Sequence, residues 1–169
     1  MDIVFYVASA VAIVATLFVI TQRNAVHALL YLIVSLLAVA VIFFTLGAPF
    51  VAALEVIVYA GAIMVLFVFV VMMLNLGSQT VEQERRWLQP RMWIGPAILS
   101  VILVVQVFFV LATDGTPAAS PSQAAIDPKQ VGLALFGPYL LGVELASMLL
   151  LAGLVGAYHL GRRQRMPNE

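Results

Sequence analysis

Two carboxylates lie inside long apolar stretches of this sequence, at Glu55 and Glu144. An ionised carboxylate in the hydrocarbon core of a membrane costs on the order of a few kcal/mol, so each group must be paired, hydrated or protonated. Tyr59 follows Glu55 by four residues, which places the two side chains on one face of a helix. Such a pair can belong to a proton or ion path, or it can hydrogen-bond a neighbouring helix and stay static. The residues alone leave both interpretations open.

The small residues directly after Tyr59, Ala60-Gly61-Ala62, suggest either close packing or deformability. Small side chains let a neighbouring helix approach closely. Glycine also weakens a helix interior enough to allow a π-bulge, and such bulges occur often at functional sites. Gly61 is therefore a candidate packing contact and a candidate point of deformation.

No other motif in the chain predicts a catalytic, metal or cofactor site. The chain has no cysteine, which excludes disulfides, thiolate metal sites and cysteine-ligated iron–sulfur clusters. Nucleotide-binding glycine loops, metalloprotease helices and hydrolase elbows are also missing from the sequence. His27 and His159 lie at similar depth near span ends and raise the alternative of haem ligation, although amphipathic rings also prefer interfaces. We expect no metal, no cofactor and no nucleic acid bound to this chain itself.

The elements that must position these residues are membrane helices. Of 169 residues, 64% are hydrophobic and 9% are charged, so the solvent of this chain is lipid. A bilayer core about 30 Å thick needs about 20 apolar residues in helical form. Five segments reach that length: 3–20, 26–46, 51–76, 92–112 and 131–160. The sequence therefore predicts an all-α integral membrane protein with five transmembrane helices in a single membrane domain, 1–169.

The distribution of basic residues predicts the orientation of these five helices. With five crossings, the first loop, the third loop and the tail at 161–169 share one side of the membrane. Positive charge concentrates on the cytoplasmic side of membrane proteins. We therefore predict an external N-terminus, an external loop at 113–130 and a cytoplasmic C-terminus. Of the eight basic residues, only Lys129 lies on the other side. The seven on the side with the tail are Arg23, Arg85, Arg86, Arg91, Arg162, Arg163 and Arg165.

At this point the sequence resembles a known family. The run ALEVIVYAGAIMVLFVFVVMMLN (53–75) closely resembles the third membrane helix of the chain J family of the proton-pumping NADH:quinone oxidoreductase, bacterial respiratory complex I. VHALLYLIVSLLAVAVIFFTLGAPF resembles the second helix of that family, WIGPAILS its fourth, and FGPYLLGVELASMLLLAGLVGAYHLGR its fifth. Family members often have proline after the asparagine where this chain has Asn24-Ala25, a departure that concerns only a helix start.

The resemblance implies a function that composition does not show. The chain would be a multi-pass membrane subunit of NADH:quinone oxidoreductase in the bacterial inner membrane, with no catalytic centre of its own. It would help to couple electron transfer from NADH to quinone with proton translocation. Its partners would be the bilayer and chains A, H, K and N of the membrane part. FMN, iron–sulfur clusters and the quinone pocket would lie in partner subunits.

The resemblance also implies a gate in the third helix. In that family this helix can switch between α and π-bulge forms near the residues that match Tyr59 to Phe67, and the switch is thought to connect or break a water wire toward glutamates of chain K. The candidates for a proton path or gate are therefore Glu55, Tyr59, Gly61, Met64, Val65, Phe67 and Glu144.

Two other functions remain alternatives from the sequence. A subunit of a multi-subunit cation/proton antiporter would also have short loops and sparse intramembrane carboxylates. A haem-bearing membrane anchor of another respiratory enzyme would use the two histidines.

Overall fold

A computed structural model describes residues 2–22, 24–74, 90–112 and 127–161. Throughout these residues the regular structure is helical. Five helical stretches are long and apolar enough to cross a membrane: Asp2–Thr21, Ala25–Thr45, Pro49–Met73, Trp93–Ala112 and Leu140–Gly161. The predicted fold class, an all-α chain with five spans, is confirmed in these ranges. The orientation of the termini stays a prediction.

The chain divides into two compact units, 1–125 and 126–169. In the first unit, α1 (Asp2–Thr21) and α2 (Ala25–Thr45) pack against each other, and α5 (Pro90–Ala112) packs on both. The Asn24 side chain caps α2 by accepting a 2.9 Å hydrogen bond from the Val26 backbone N–H. Because the core consists of aliphatic side chains with alanines between them, the helix backbones can approach closely. The buried core residues are Val11, Ala15, Val34, Ala38 and Leu103.

Polar contacts join the helices of the first unit inside the apolar region, among them a 3.3 Å hydrogen bond from the Ser35 hydroxyl to the Ala12 carbonyl. The Thr16 and Ser35 hydroxyl oxygens lie 2.9 Å apart and link α1 to α2. The Gln106 Nε2 donates a 3.3 Å hydrogen bond to the Val4 carbonyl and links α5 to α1. Interhelical hydrogen bonds of this kind contribute about 0.6 kcal/mol each on average, so they fix the register of helices that packing already holds together.

The third span begins after a tight turn and contains two helical registers. Gly47 has a φ of 80°, a left-handed conformation that glycine adopts without steric cost. Pro49 then occupies the first turn of α3 (Pro49–Leu54), where its missing N–H costs nothing. A π-helix follows over Glu55–Ile63, and α4 (Met64–Leu74) completes the span. Only 6% of the most apolar window of this span is buried within the chain.

The second unit differs from the predicted continuous span over 131–160. Helix α6 (Pro128–Leu135) ends before Phe136, and α7 (Leu140–Gly161) begins four residues later. Pro138 explains the break, because it has no N–H to donate and disfavours the α conformation of the residue before it. The predicted external loop lies outside the described residues over 113–126, as does the predicted tail over 162–169.

Candidate functional site

The change from α to π register begins at the glutamate that the sequence singles out. Glu55 is the first residue of the π-helix, and Tyr59 lies one turn further along it. At the far end, the Met64 N–H bonds to the Tyr59 carbonyl five residues back, the separation that defines the π form, and also to Gly61. Both candidate polar side chains therefore lie within the irregular segment.

Gly61 fits the π-helix because it has no side chain. A Cβ atom placed on Gly61 would lie 3.1 Å from the carbonyl oxygen of Val56, five residues earlier. That is closer than an ordinary contact, so a side chain here would push against the backbone oxygen that the π geometry brings near. Glycine at this position has no side chain to crowd that oxygen in the π form.

The remaining third-helix candidates lie just beyond the π-helix, in α4. Met64 is 2% exposed and is the first residue of α4, which packs against α2. Val65 and Phe67 are exposed on the surface of the chain. Met64 thus packs the end of the π-helix against the rest of the first unit, while Val65 and Phe67 face outward.

The register difference has a geometric consequence for these side chains. Each residue of an α-helix turns the chain by about 100°, because 3.6 residues complete a turn. Over the same length along the helix axis, a π segment contains one more residue than an α segment. Conversion between the two forms would therefore rotate the Glu55 and Tyr59 side chains about the helix axis relative to Phe67. The backbone of the span would stay hydrogen-bonded in both forms.

The polar groups of the π-helix are available to outside partners. Glu55 is half-buried and Tyr59 is exposed. Within the described ranges, neither side chain forms a hydrogen bond or ion pair to the rest of the chain. A carboxylate and a phenol in such positions can hold water or contact a neighbouring helix, and they can donate or accept protons.

Glu144 lies on α7 in the second unit and is exposed. The Ser147 hydroxyl donates a 2.7 Å hydrogen bond to the Glu144 backbone carbonyl, so this contact leaves the carboxylate unused. In the most apolar window of α7, 0% of the residues are buried within the chain. Glu144 therefore faces whatever surrounds this helix.

His27, one of the two histidines weighed for haem ligation, is buried rather than open. It is 3% exposed, and its ring lies edge-on to the Trp93 indole with centroids 6.5 Å apart. Neither ring nitrogen has a hydrogen-bond partner in the described part of the chain. His159 is exposed on the last turn of α7. Among the described residues, no group of three or more His, Cys, Asp or Glu side chains could hold a metal.

Sequence reasoning missed the polar residues that join α1, α2 and α5, of which Ser35 and Gln106 are buried and Thr16 is exposed. Thr16, Ser35 and Gln106 each occur alone in an apolar run, and one polar residue hardly changes the mean hydropathy of such a run. Tyr31 and Ser35 follow His27 at intervals of four residues, and all three are buried. That spacing was the available signal for a polar stripe on one face of α2.

The chain is similar to known proteins over nearly its whole length. A model of the family described as NADH-ubiquinone/plastoquinone oxidoreductase chain 6 matches residues 15–160. NADH-quinone oxidoreductase subunit J of Pseudomonas aeruginosa is 63% identical over 164 residues, covering 96% of this chain and 98% of that protein. The Escherichia coli K12 protein of the same name is 60% identical over 171 residues, covering 98% of this chain and 89% of its own. That of Buchnera aphidicola from Schizaphis graminum is 52% identical over 168 residues, covering 98% and 100%.

These matches extend over nearly the whole chain and include the irregular third span. They confirm the resemblance to chain J that the third-helix motif indicates. The chain therefore belongs to the NADH-ubiquinone/plastoquinone oxidoreductase chain 6 family.

Proposed function

We propose that the chain is a J-type subunit in the membrane arm of a bacterial NADH-quinone oxidoreductase. Family membership is the basis of this proposal, and the five apolar helices are consistent with it. The chain has no catalytic centre of its own. Electrons pass through FMN, iron–sulfur clusters and quinone in partner subunits, and chains A, H, K and N are its neighbours in the inner membrane. Membership favours this function over the antiporter and haem-anchor alternatives.

The third span acts as a deformable gate of a water wire in this proposal. The observation that supports it is the π-helix over Glu55–Ile63, with a glycine where the π geometry leaves little room for a side chain. Glu55 and Tyr59 provide polar groups that hydrogen-bond water in the wire. Conversion to the α form would turn these groups relative to α4 and break the wire.

The proposed orientation has the N-terminus in the periplasm and the C-terminus in the cytoplasm. It rests on the seven basic residues on one side of the five spans. With this orientation, Glu55 lies in the outer half of the membrane, because it is the seventh residue of a span that starts outside at Pro49.

Replacing Gly61 with alanine tests the gate. Alanine would crowd the Val56 carbonyl oxygen in the π form, so the α-to-π ratio should rise. We expect normal assembly, with NADH:quinone turnover per FMN and coupled proton pumping both reduced several-fold. Gly61→Val should reduce them further, because its β-branch also restricts χ1.

Gly153→Ala is the matched control, because a Cβ there meets no atom within 4 Å inside the chain. Poor assembly with normal turnover per FMN would mean that Gly61 only packs, and the gate would lose its support. The subunit assignment is tested separately by affinity purification through this chain, which should bring down FMN and iron–sulfur subunits. Recovery of antiporter-type chains alone would contradict that assignment, whatever the result at Gly61.

A further inference from the structure

The carboxyl group of Glu144 has no partner in the described part of the second unit. Glu144 is exposed on α7, and within the described residues its side chain forms no hydrogen bond or ion pair. The hydroxyl of Ser147, one turn further along, is already bonded to the Glu144 backbone carbonyl. The other side chains one turn away, Leu140, Leu141 and Met148, have no hydrogen to donate. A donor for this carboxyl group must therefore come from outside α7.

Glu144 also lies within the apolar part of its span. It is the fifth residue of α7, so at 1.5 Å per residue its backbone lies about 6 Å beyond that of Leu140. Lipid tails have no hydrogen-bond donor, and water is absent from the hydrocarbon core. Reaching back to the membrane surface is a property of the longer Lys and Arg side chains. A carboxyl group left unpaired at this depth is costly, whether it is ionised or protonated.

The small residues of α7 lie on the side of the helix opposite to Glu144. At about 100° per residue, Gly142, Ala146 and Gly153 lie about 160–200° around the helix axis from Glu144. Small residues let another helix approach closely, and a Cβ on Gly142 or Gly153 would meet no atom within 4 Å inside the chain. A helix packed on that side could not reach Glu144, because α7 itself is about 10 Å across. The donor therefore belongs to a different neighbour.

We propose that the Glu144 face of α7, formed by Leu141, Glu144, Met148 and Leu151, docks against a membrane helix of another subunit that donates a hydrogen bond to the carboxyl group. The donor is a basic or hydroxyl-bearing side chain, because these groups complement a carboxyl group. The three exposed apolar residues around Glu144 pack against the same helix. This inference rests on the proposed function, since it requires that the chain be one subunit of a larger membrane enzyme.

Replacing Glu144 with leucine tests the proposal, because the sign of the effect depends on whether a donor is present. With a donor, Glu144→Leu leaves that donor unpaired inside the membrane, so this chain should dissociate from the purified enzyme at a lower temperature than wild type. Glu144→Gln keeps an oxygen that accepts the bond and should dissociate close to the wild-type temperature. Without a donor, Glu144→Leu only removes a costly polar group from lipid. A dissociation temperature at or above that of wild type would therefore overturn the proposal.

Ser147→Ala is the matched control. It removes a hydroxyl from nearly the same side of α7, but the hydrogen bond of that hydroxyl lies within the helix. We expect this variant to dissociate at the wild-type temperature, measured as the amount of this chain that stays with the complete enzyme after heating. A loss equal to that of Glu144→Leu would mean that any polar change on this side weakens α7, which would contradict a specific bond to Glu144.

A structure of the wild-type assembled enzyme decides the matter should Glu144→Leu prevent assembly. The expected result is a side-chain donor atom of another subunit within about 3.2 Å of a Glu144 carboxyl oxygen. Lipid, water or another part of this chain as the only neighbour of the carboxyl group would refute the docking. Recovery of FMN and iron–sulfur subunits with this chain would still uphold the proposed function in that case, so the two proposals fail separately.

Discussion

Glu55 combines an intramembrane carboxylate with a change of helical register, and this combination makes its charge worth testing. Glu55→Gln removes the titratable carboxyl group and keeps the shape and hydrogen-bonding capacity, so assembly should survive. We expect a partial loss, roughly two- to five-fold in turnover, because proton transfer contributes far larger factors where a group is obligatory. Turnover per FMN and proton pumping in membrane vesicles measure the effect.

Glu144→Gln serves as the companion variant for that experiment. It removes the other intramembrane carboxylate, which lies on a regular α-helix rather than at a change of register. Complete loss of pumping in a fully assembled Glu55→Gln enzyme would show that Glu55 carries protons obligatorily. An effect of Glu144→Gln equal to that of Glu55→Gln would remove the special role of the π-helix junction.

At the scale of the elements, α5 meets the Tyr31 side chain of α2 at Gly95. A Cβ there would overlap the Tyr31 hydroxyl, and the Tyr31 ring is already held in a stack on Phe18 with centroids 5.0 Å apart. Gly95→Ala should therefore overpack the contact and destabilise the chain by about 1–3 kcal/mol. The measurement is the dissociation temperature of the purified complex.

Two further variants make the Gly95 prediction specific. Gly132→Ala is the control, because a Cβ there meets no atom within 4 Å. Tyr31→Phe removes the hydroxyl that the new methyl group would strike, so Gly95→Ala combined with Tyr31→Phe should regain most of the lost stability. Additive losses in the double variant would mean that the overlap with the hydroxyl is not the cause.

The sequence predicts where the spans lie, but hydropathy does not predict the irregularities within them. The apolar runs locate all five helices, because hydropathy reports directly on burial in lipid. The break at Phe136–Tyr139 escapes this reasoning, since Gly137 and Pro138 lie within an apolar run that is long enough to cross a membrane. Hydropathy does not show the change of register at Glu55 either, because one extra residue in the hydrogen-bond ladder leaves the hydrophobic pattern almost unchanged. The signal for it lies in the small residues around Gly61, where the sequence suggests a π-bulge.

At the scale of the whole molecule, the clearest prediction concerns orientation. A reporter fused after Arg165 should be cytoplasmic, and one inserted near Ser120 should be periplasmic, because basic residues hold the first loop, the third loop and the tail inside. Paired phosphatase and fluorescent-protein fusions at both positions read each side directly. Reversed labelling at the two positions would contradict the predicted orientation.

Burial is distributed unevenly between the two units, and this bears on how the sequence can change during evolution. Core residues of α1, α2 and α5 contact one another, so a substitution at Val34 or Leu103 can be compensated by a second change in the same gene. In α7, 0% of the residues in the apolar window are buried, so a substitution there disturbs no buried core of the second unit. Correlated substitutions within this gene should therefore concentrate at the core positions of the first unit.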